Sequence, residues 1–258
     1  MAKMREEYHV RAVQRALQIL DCFSDQEPYL GVSEISQKLK IHKSTIHALL
    51  ITMEDEGFVA KDEAKNKYLL TYKLFKLGNI VSEHISIKSV SVPYMTALCK
   101  QTNESVALNV RDDGKRLVLA VVENPQPVRL FVRAGQQLAL HSSAAGKVLL
   151  AAMQPDQIDY VIEHEGLARV TPNTITDRQA LLNELALVRE RGYALCNGEG
   201  YWEAGSVGAP VFDHSNNVVA SLTIYGPLQN YQGERLERFI ADTKATAAKI
   251  SSVLGYNG

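Results

Sequence analysis

From Val10 to Phe23 apolar residues recur at helical spacing, with Val13, Leu17, Leu20 and either Ala16 or Phe23 on one face and Arg11, Gln14, Arg15 and Gln18 opposite. The pattern predicts an amphipathic helix. Ser24-Asp25-Gln26-Glu27-Pro28 ends it, and Tyr29-Leu30-Gly31-Val32 reads as a short extended piece. Ser33 is placed to cap a short helix carrying Ile35 and Leu39 at i and i+4. Lys40-Ile41-His42 then turns the chain into a second helix, from about Lys43 to Glu56, which buries Ile46, Leu49, Leu50 and Met53 and stops at Gly57. Phe58 to Lys61 and Lys67 to Leu70 flank a polar turn and predict a hairpin. Helix, helix-turn-helix and hairpin in this order make a winged helix-turn-helix, whose last helix enters a major groove while the hairpin lies against the backbone.

Beyond Thr71 the pattern changes. Leu74, Leu77, Ile80, Val81 and Ile85 predict a connecting helix to Ile87, and Val92 to Gln101 predicts another. Ser105 to Val110 and Arg116 to Val122 read as strands around Asp112-Asp113-Gly114, and Val128 to Val132 as a further strand. Helices are predicted over Ala144 to Met153, Pro155 to Glu165 and Gly233 to Leu254. Thr176-Asp177-Arg178-Gln179 reads as a capping box opening a helix that ends at Arg191-Gly192. Tyr193 to Asn197, Ser206 to Asp213 and Val218 to Tyr225 complete the strands. The fold class expected is α+β.

With 258 residues, 46% apolar and 22% charged, the chain has the composition of a globular protein of one large or two ordinary domains. No apolar run exceeds the six residues of Val148 to Met153, far short of the roughly 18 that span a bilayer, so no membrane partner is expected. The mixed charges of the first residues do not resemble a secretory signal, which points to the cytoplasm. Cys22, Cys99 and Cys196 are odd in number and form no C-x-x-C pair, so reduced thiols and no metal or other cofactor are expected. The net charge of −1 is uninformative. More telling is the window from Gln37 to Met53, which holds Lys38, Lys40, Lys43, His42 and His47 and no carboxylate.

The sequence resembles the IclR family of bacterial transcriptional regulators nearly end to end. Val13-Gln14-Arg15-Ala16-Leu17-Gln18-Ile19-Leu20, the stretch Lys43 to Leu50 and Glu56-Gly57-Phe58-Val59 are similar to its DNA-binding domain. Leu140-His141-Ser142-Ser143-Ala144-Ala145-Gly146-Lys147, Arg191-Gly192-Tyr193, Gly208 to Asp213 and Gly226-Pro227 are similar to later blocks. The resemblance implies an N-terminal winged helix-turn-helix domain over 1–71, a linker helix over 72–87 and a C-terminal GAF-like α/β domain over 88–258. That last domain would bind an effector and support oligomerisation. It further implies a double-stranded DNA operator of pseudo-palindromic form, homodimers paired through the DNA-binding regions, and often homotetramers joined through the effector domains. Carried over position by position, its pocket falls on Leu130, Ala144, Ala145, Cys196, Ala204, Ser206, Thr223 and Tyr225. Two departures stand out. Ala48 occupies a place where the family usually has arginine, and Tyr225 one where it often has a serine associated with small oxo-acids.

On the DNA side, Lys43, Ser44, Thr45 and His47 lie on the half of the recognition helix that reaches base edges or phosphates, although a solvated helix start would look similar. Arg11, Arg15, Lys65 and Lys67 are candidate phosphate clamps, the two on the wing being the stronger. On the effector side, the small residues Ser142 to Gly146 at a helix start offer backbone N–H groups to a carboxylate, or Ser143 caps its own helix. Trp202 sits in a glycine-bracketed loop that either lids a pocket or packs at the domain edge. The effector expected is a small organic carboxylate with an aromatic or bulky end, since Tyr225 fills the space a two- or three-carbon acid would need. Lys147 lacks the glycine and Ser/Thr partners of a phosphate loop and reads as structural. An enzyme reading would rest on Cys196, His141 and Asp213 without a recognised spacing, leaving residues 10 to 70 unexplained, so catalysis is not expected.

Overall fold

The computed structural model describes residues 10–24, 26–77, 86–124 and 132–256. The chain divides into two compact units, Met1–His84 and Ile85–Gly258.

In the first unit, α1 (Arg11–Leu20), α2 (Val32–Leu39) and α3 (Lys43–Asp55) precede the strands β1 (Val59–Asp62) and β2 (Lys67–Leu70). Ile19, Leu30, Ile35, Ile46, Leu50, Met53, Val59 and Tyr68 form one buried cluster. The inward face of α1 differs from the sequence expectation. Ile19 is buried and Ala16, Leu20 and Phe23 pack on the cluster, whereas Val13 and Leu17 are more than half exposed. Two apolar stripes run side by side on this helix, about 100° apart, and periodicity alone cannot choose between them. The cap of α2 also differs. Gly31, not Ser33, is the N-cap, and its N–H donates to Glu34 Oε2 at 2.6 Å. That bond, followed by the ion pair with Lys67, holds the Glu34 carboxyl below its ordinary pKa. Lys40 adopts a left-handed conformation (φ 55°), which makes the tight turn into α3, and Gly57 (φ 72°) ends α3 before the hairpin. Val59 pairs with Leu70 and Asp62 with Lys67, and Leu30 bridges to Tyr68 as a minimal third strand.

Residues 72–77 are helical. The rest of the expected connecting helix up to Ile85 falls largely outside the described residues.

The second unit opens with α4 (Ser86–Thr102), which starts earlier than Val92 and continues through Pro93. The burial of Met95, Leu98 and Cys99 against the sheet carries the helix past the one N–H that proline lacks. A six-stranded antiparallel sheet follows, built from β3 (Ser105–Asp112), β4 (Lys115–Val122), β5 (Gln137–Leu138), β6 (Ala194–Asn197), β7 (Ala204–Phe212) and β8 (Val218–Pro227). Its spatial order is β5-β4-β3-β8-β7-β6. β5 was not foreseen, and the strand expected over Val128 to Val132 lies, but for Val132, outside the described residues. The remaining helices are α5 (Ala144–Ala151), α6 (Pro155–Glu165), α7 (Arg178–Arg191) and α8 (Gly233–Val253). α7 is capped by Asp177, whose carboxylate accepts the Ala180 N–H at 2.8 Å, while Gln179 bonds Asn183 and not the cap. The expected capping box from Thr176 therefore does not form. It starts one residue late and with a carboxylate, which suits the positive helix end better than a hydroxyl.

The sheet has two differently dressed faces. Val106 and Leu108 of β3, Val207, Ala209 and Val211 of β7 and Leu222 and Ile224 of β8 pack on α4 and α8. The alternate residues face α5, and there the polar side chains gather.

Candidate functional site

On the first unit, α3 presents Lys43, Ser44, His47, Ala48 and Ile51 to solvent, while Thr45 is half-buried. His42, at the N-cap, holds Ser44 through Nδ1 and Oγ, 2.9 Å apart. The Ala48 position leaves a smooth patch in the middle of the exposed stripe. Lys65 stands 3.4 Å over the Tyr29 ring centre and 3.6 Å from Asp62, and Lys67 pairs with Glu34 at 2.7 Å. The wing lysines are thus already oriented by the protein, and Lys67 fastens the wing to α2. Arg11 is exposed and Arg15 half-buried on α1.

The second unit has a partly open cavity of about 220 Å³ between the sheet and α5. Ala145, Cys196, Ala204, Ser206, Thr223 and Tyr225, positions the resemblance implied, line it, and so does Ser143 from the start of α5. They meet because of register. Cys196 pairs with Ser206 and Ser206 with Tyr225, so one row across β6, β7 and β8 delivers three of them to one floor. Burial pushes the Tyr225 hydroxyl up to about 12, with Ser105 beside it moderating the shift. It is a neutral donor at any physiological pH.

Two of the expected lining residues do not line the cavity. Ala144 is buried but turns from the cavity into the core around α5. A helix start places consecutive side chains about 100° apart, so Ala144 and Ala145 cannot both face the floor. Trp202 is 58% exposed and does not line the cavity, whereas its loop contributes Gly200 and Tyr201 instead. Leu130 lies outside the described residues. The small-residue block has a packing reason as well: Ser143 Oγ accepts the Gly146 N–H at 3.0 Å, so this serine caps its own helix. Gly146 itself lies so close to the Leu140 backbone that a Cβ would stand 1.9 Å from the carbonyl oxygen.

Several lining residues carried no signal in the sequence, chiefly Asn109 and Arg116. Arg116 is 8% exposed, and burial lowers its pKa to about 10, so the guanidinium stays charged at neutral pH. A bulge puts it there. Leu108 pairs with Ala120 but Asn109 with Val118, leaving Leu119 as an extra residue in β4. Strict alternation would group Arg116 with Ala120, which packs on the helix-covered face. The extra residue reverses the phase and swings Arg116 and Val118 to the cavity side.

Lys147 is fully buried, with Nζ 2.7 Å from Glu199 and 3.5 Å from Glu184. Glu184 in turn pairs with Arg191 at 2.7 Å. Thr171 and Thr174 donate to the carbonyls of Gly198 and Glu199 at 2.6 and 2.7 Å, fixing the loop that brings Gly200 and Tyr201 to the cavity. Lys147 is structural. The enzyme constellation does not assemble. The Cys196 thiol donates to Ser142 O and is pushed up by burial, His141 bonds Ala168 O, and Asp213 accepts N–H bonds within the β7–β8 turn. A thiolate nucleophile needs the opposite shift.

Residues 12–63 match the IclR helix-turn-helix domain, and residues 80–252 match the domain described as bacterial transcriptional regulator IclR C-terminal. Among curated relatives, the HTH-type transcriptional regulator KdgR of Escherichia coli is 33% identical over 248 residues, covering 96% of this chain and 94% of the relative. Among solved structures, an IclR transcriptional regulator from Alicyclobacillus acidocaldarius superposes with a TM-score of 0.84 at 30% identity, covering 95% of this chain and 99% of that one. An IclR homologue from Microbacterium hydrocarbonoxydans, complexed with 4-hydroxybenzoate, superposes with a TM-score of 0.83 at 25% identity over 94% of this chain and 98% of that one.

A helix-turn-helix unit followed by an α/β domain defines a DNA-binding transcriptional regulator. The chain belongs to the IclR family of bacterial transcriptional regulators. No helix among the described residues is long and apolar enough to cross a membrane.

Proposed function

We propose that this regulator acts as a homodimer on a pseudo-palindromic operator, and that a small organic acid bound in the cavity changes its affinity for that operator, controlling a catabolic operon. The observation that carries this reading is the cavity, which brings hydroxyls and a buried cation together with Val132, Leu138 and Tyr201, a mixture suited to a small polar molecule with an apolar body. Its volume of about 220 Å³ exceeds the roughly 150 Å³ that holds a benzene ring. The 4-hydroxybenzoate held by the Microbacterium homologue is an acid of one-ring size. Dimer formation is supported by the second apolar stripe of α1, where Val10, Val13 and Leu17 are all more than half exposed. A two-fold protein reads two related half-sites.

Selection from random duplexes should return a symmetric site, and a footprint on it should be symmetric. An asymmetric or unenriched result would defeat the dimeric docking. Effector control is tested by titrating carboxylates against operator affinity, where a change of about 1 to 3 kcal/mol is typical of such coupling. No change with any ligand that binds would favour a regulator without a small-molecule effector.

Within the DNA-binding unit the two elements should separate. Thr45→Ala or His47→Ala is expected to change sequence preference, by about 1 to 3 kcal/mol per lost base contact. Lys65→Ala should instead weaken binding to all duplexes and lower the salt slope by about one. Lys67→Ala should do the same and also loosen the wing, because it releases Glu34. Binding isotherms on cognate and scrambled duplexes at several salt concentrations distinguish the two behaviours.

A further inference from the structure

Among the described residues Arg116 has no counter-ion. Its Nη1 donates to Asn109 Oδ1 at 2.8 Å, while its Nε has no partner among the described residues, and neither has Asn109 Nδ2. The titratable groups that act on it are Tyr201, Cys196 and Tyr225, none of them a carboxylate. A buried cation lacking both an ion pair and a full set of acceptors is costly. Here the cost falls on the floor of a cavity, where both unsatisfied donors sit on adjacent strands and both residues line the empty space. The Asn109 bond turns Nη1 toward β3 and leaves Nε without an acceptor. A guanidinium is a planar fork, matched by a carboxylate whose two oxygens accept from N–H groups side by side.

We propose that Arg116 and Asn109 form the anion anchor of this cavity, and that the effector is a monocarboxylate whose acid group lies on the β3–β4 floor and whose compact apolar body rests against Val132 and Tyr225. The inference rests on the reading of the cavity as a ligand site and adds which end of the ligand goes where. It differs from a seat at the start of α5, where Ser143 already occupies the Gly146 N–H and the Lys147 N–H bonds Ser143 O. One buried positive charge selects one negative charge. A dianion would replace an uncompensated cation by an uncompensated anion.

The test uses the full-length protein and a panel of acetate, pyruvate, benzoate, 4-hydroxybenzoate and the dianion phthalate, each monoacid paired with its amide. Melting temperature is measured for the wild type and for Arg116→Met and Arg116→Lys, alone and with each compound. At least one monocarboxylate should raise the wild-type melting temperature by several degrees, with its amide and phthalate ineffective. Arg116→Met should weaken that compound by about thirtyfold or more, as loss of one member of a buried charge pair does. Arg116→Lys should retain weakened binding, because it keeps the charge but loses the fork. Without ligand, Arg116→Met should melt as high as the wild type or higher, since it removes an unpaired buried charge.

A carboxylate shift that survives in Arg116→Met, an amide as effective as its acid, or a panel that leaves the wild type unmoved would each overturn the anchor. So would a ligand-free Arg116→Met that melts several degrees low and is restored by Arg116→Lys, because that pattern belongs to a structural residue. Operator affinity separates this inference from the proposed function. Binding that depends on Arg116 but leaves operator affinity unchanged keeps the anchor and removes the coupling. An operator response to a carboxylate that is equal in wild type and Arg116→Met does the reverse.

Discussion

Gly146→Ala is expected to destabilise the effector domain by about 3 kcal/mol or more, the upper end of what overpacking costs. In a melt this is a fall of roughly 10 °C for a unit of this size. The ideal Cβ would lie 1.9 Å from the Leu140 carbonyl oxygen and 2.5 Å from its carbon. These are backbone atoms of a buried residue, so no rotamer change relieves the clash, and α5 must move off the segment that crosses it. Leu138, Ala139 and Ser142 line the cavity from one side of this crossing, Ala145 from the other. Whatever fraction of the variant remains folded should therefore bind ligand poorly. Gly192→Ala is the control. Gly192 is left-handed (φ 73°, ψ 22°), and the added atom would meet only the end of the Lys244 side chain, 3.6 Å away, so only the conformational penalty of about 1 to 2 kcal/mol applies. If Gly146→Ala melts no lower than Gly192→Ala, the close crossing of α5 over Leu140 is wrong.

Lys147→Met should be comparably severe, about 3 to 5 kcal/mol, because it strips the partner from a buried carboxylate. Glu199 would be left buried with no cation, and its Oε2 already lacks a hydrogen-bond partner among the described residues. Glu184 would be affected less, since Arg191 remains 2.7 Å away. The double variant Lys147→Met/Glu199→Leu should recover most of the loss, as apolar replacements of buried pairs often do. Denaturant unfolding of both single variants and the double variant gives the coupling directly. Losses that simply add would mean that the two side chains do not hold each other. The loop from Gly198 to Tyr201 depends on this pair as well as on Thr171 and Thr174. Ligand affinity should therefore follow stability in the single variants and return in the double.

The conflict between local pattern and fold is clearest where two answers are locally equal. On α1 the stripe of Val13 and Leu17 and the stripe of Ala16, Ile19 and Leu20 are both apolar, and only contact with α3 and α2 buries the second. In Ser142 to Gly146 the small side chains fit a backbone anion seat, yet the close pass over Leu140 accounts for the glycine without a ligand. In the loop after β6 the tryptophan is conspicuous in the sequence, but its neighbour Tyr201 faces the cavity. Arg116 was hidden differently. Beside Lys115 at the end of a charged hairpin, it looks like a solvated surface residue.

What the sequence determined unaided follows from short-range rules: the helix-turn-helix and its wing from helical spacing, the left-handed stop at Gly57 and strand alternation, and the strands and helices of the second domain from the same periodicities. The resemblance of its blocks added which residues converge on one cavity, and six of the eight positions it implied line it. The tertiary structure decided the rest, because the decisive quantities involve residues far apart in the chain. One extra residue in β4, visible only when β3 pairs beside it, turns Arg116 from the helix-covered face to the cavity floor. The charge of that side chain is written in the sequence, but its burial without a carboxylate arises only when the sheet, α5 and the Gly200–Tyr201 loop close around it.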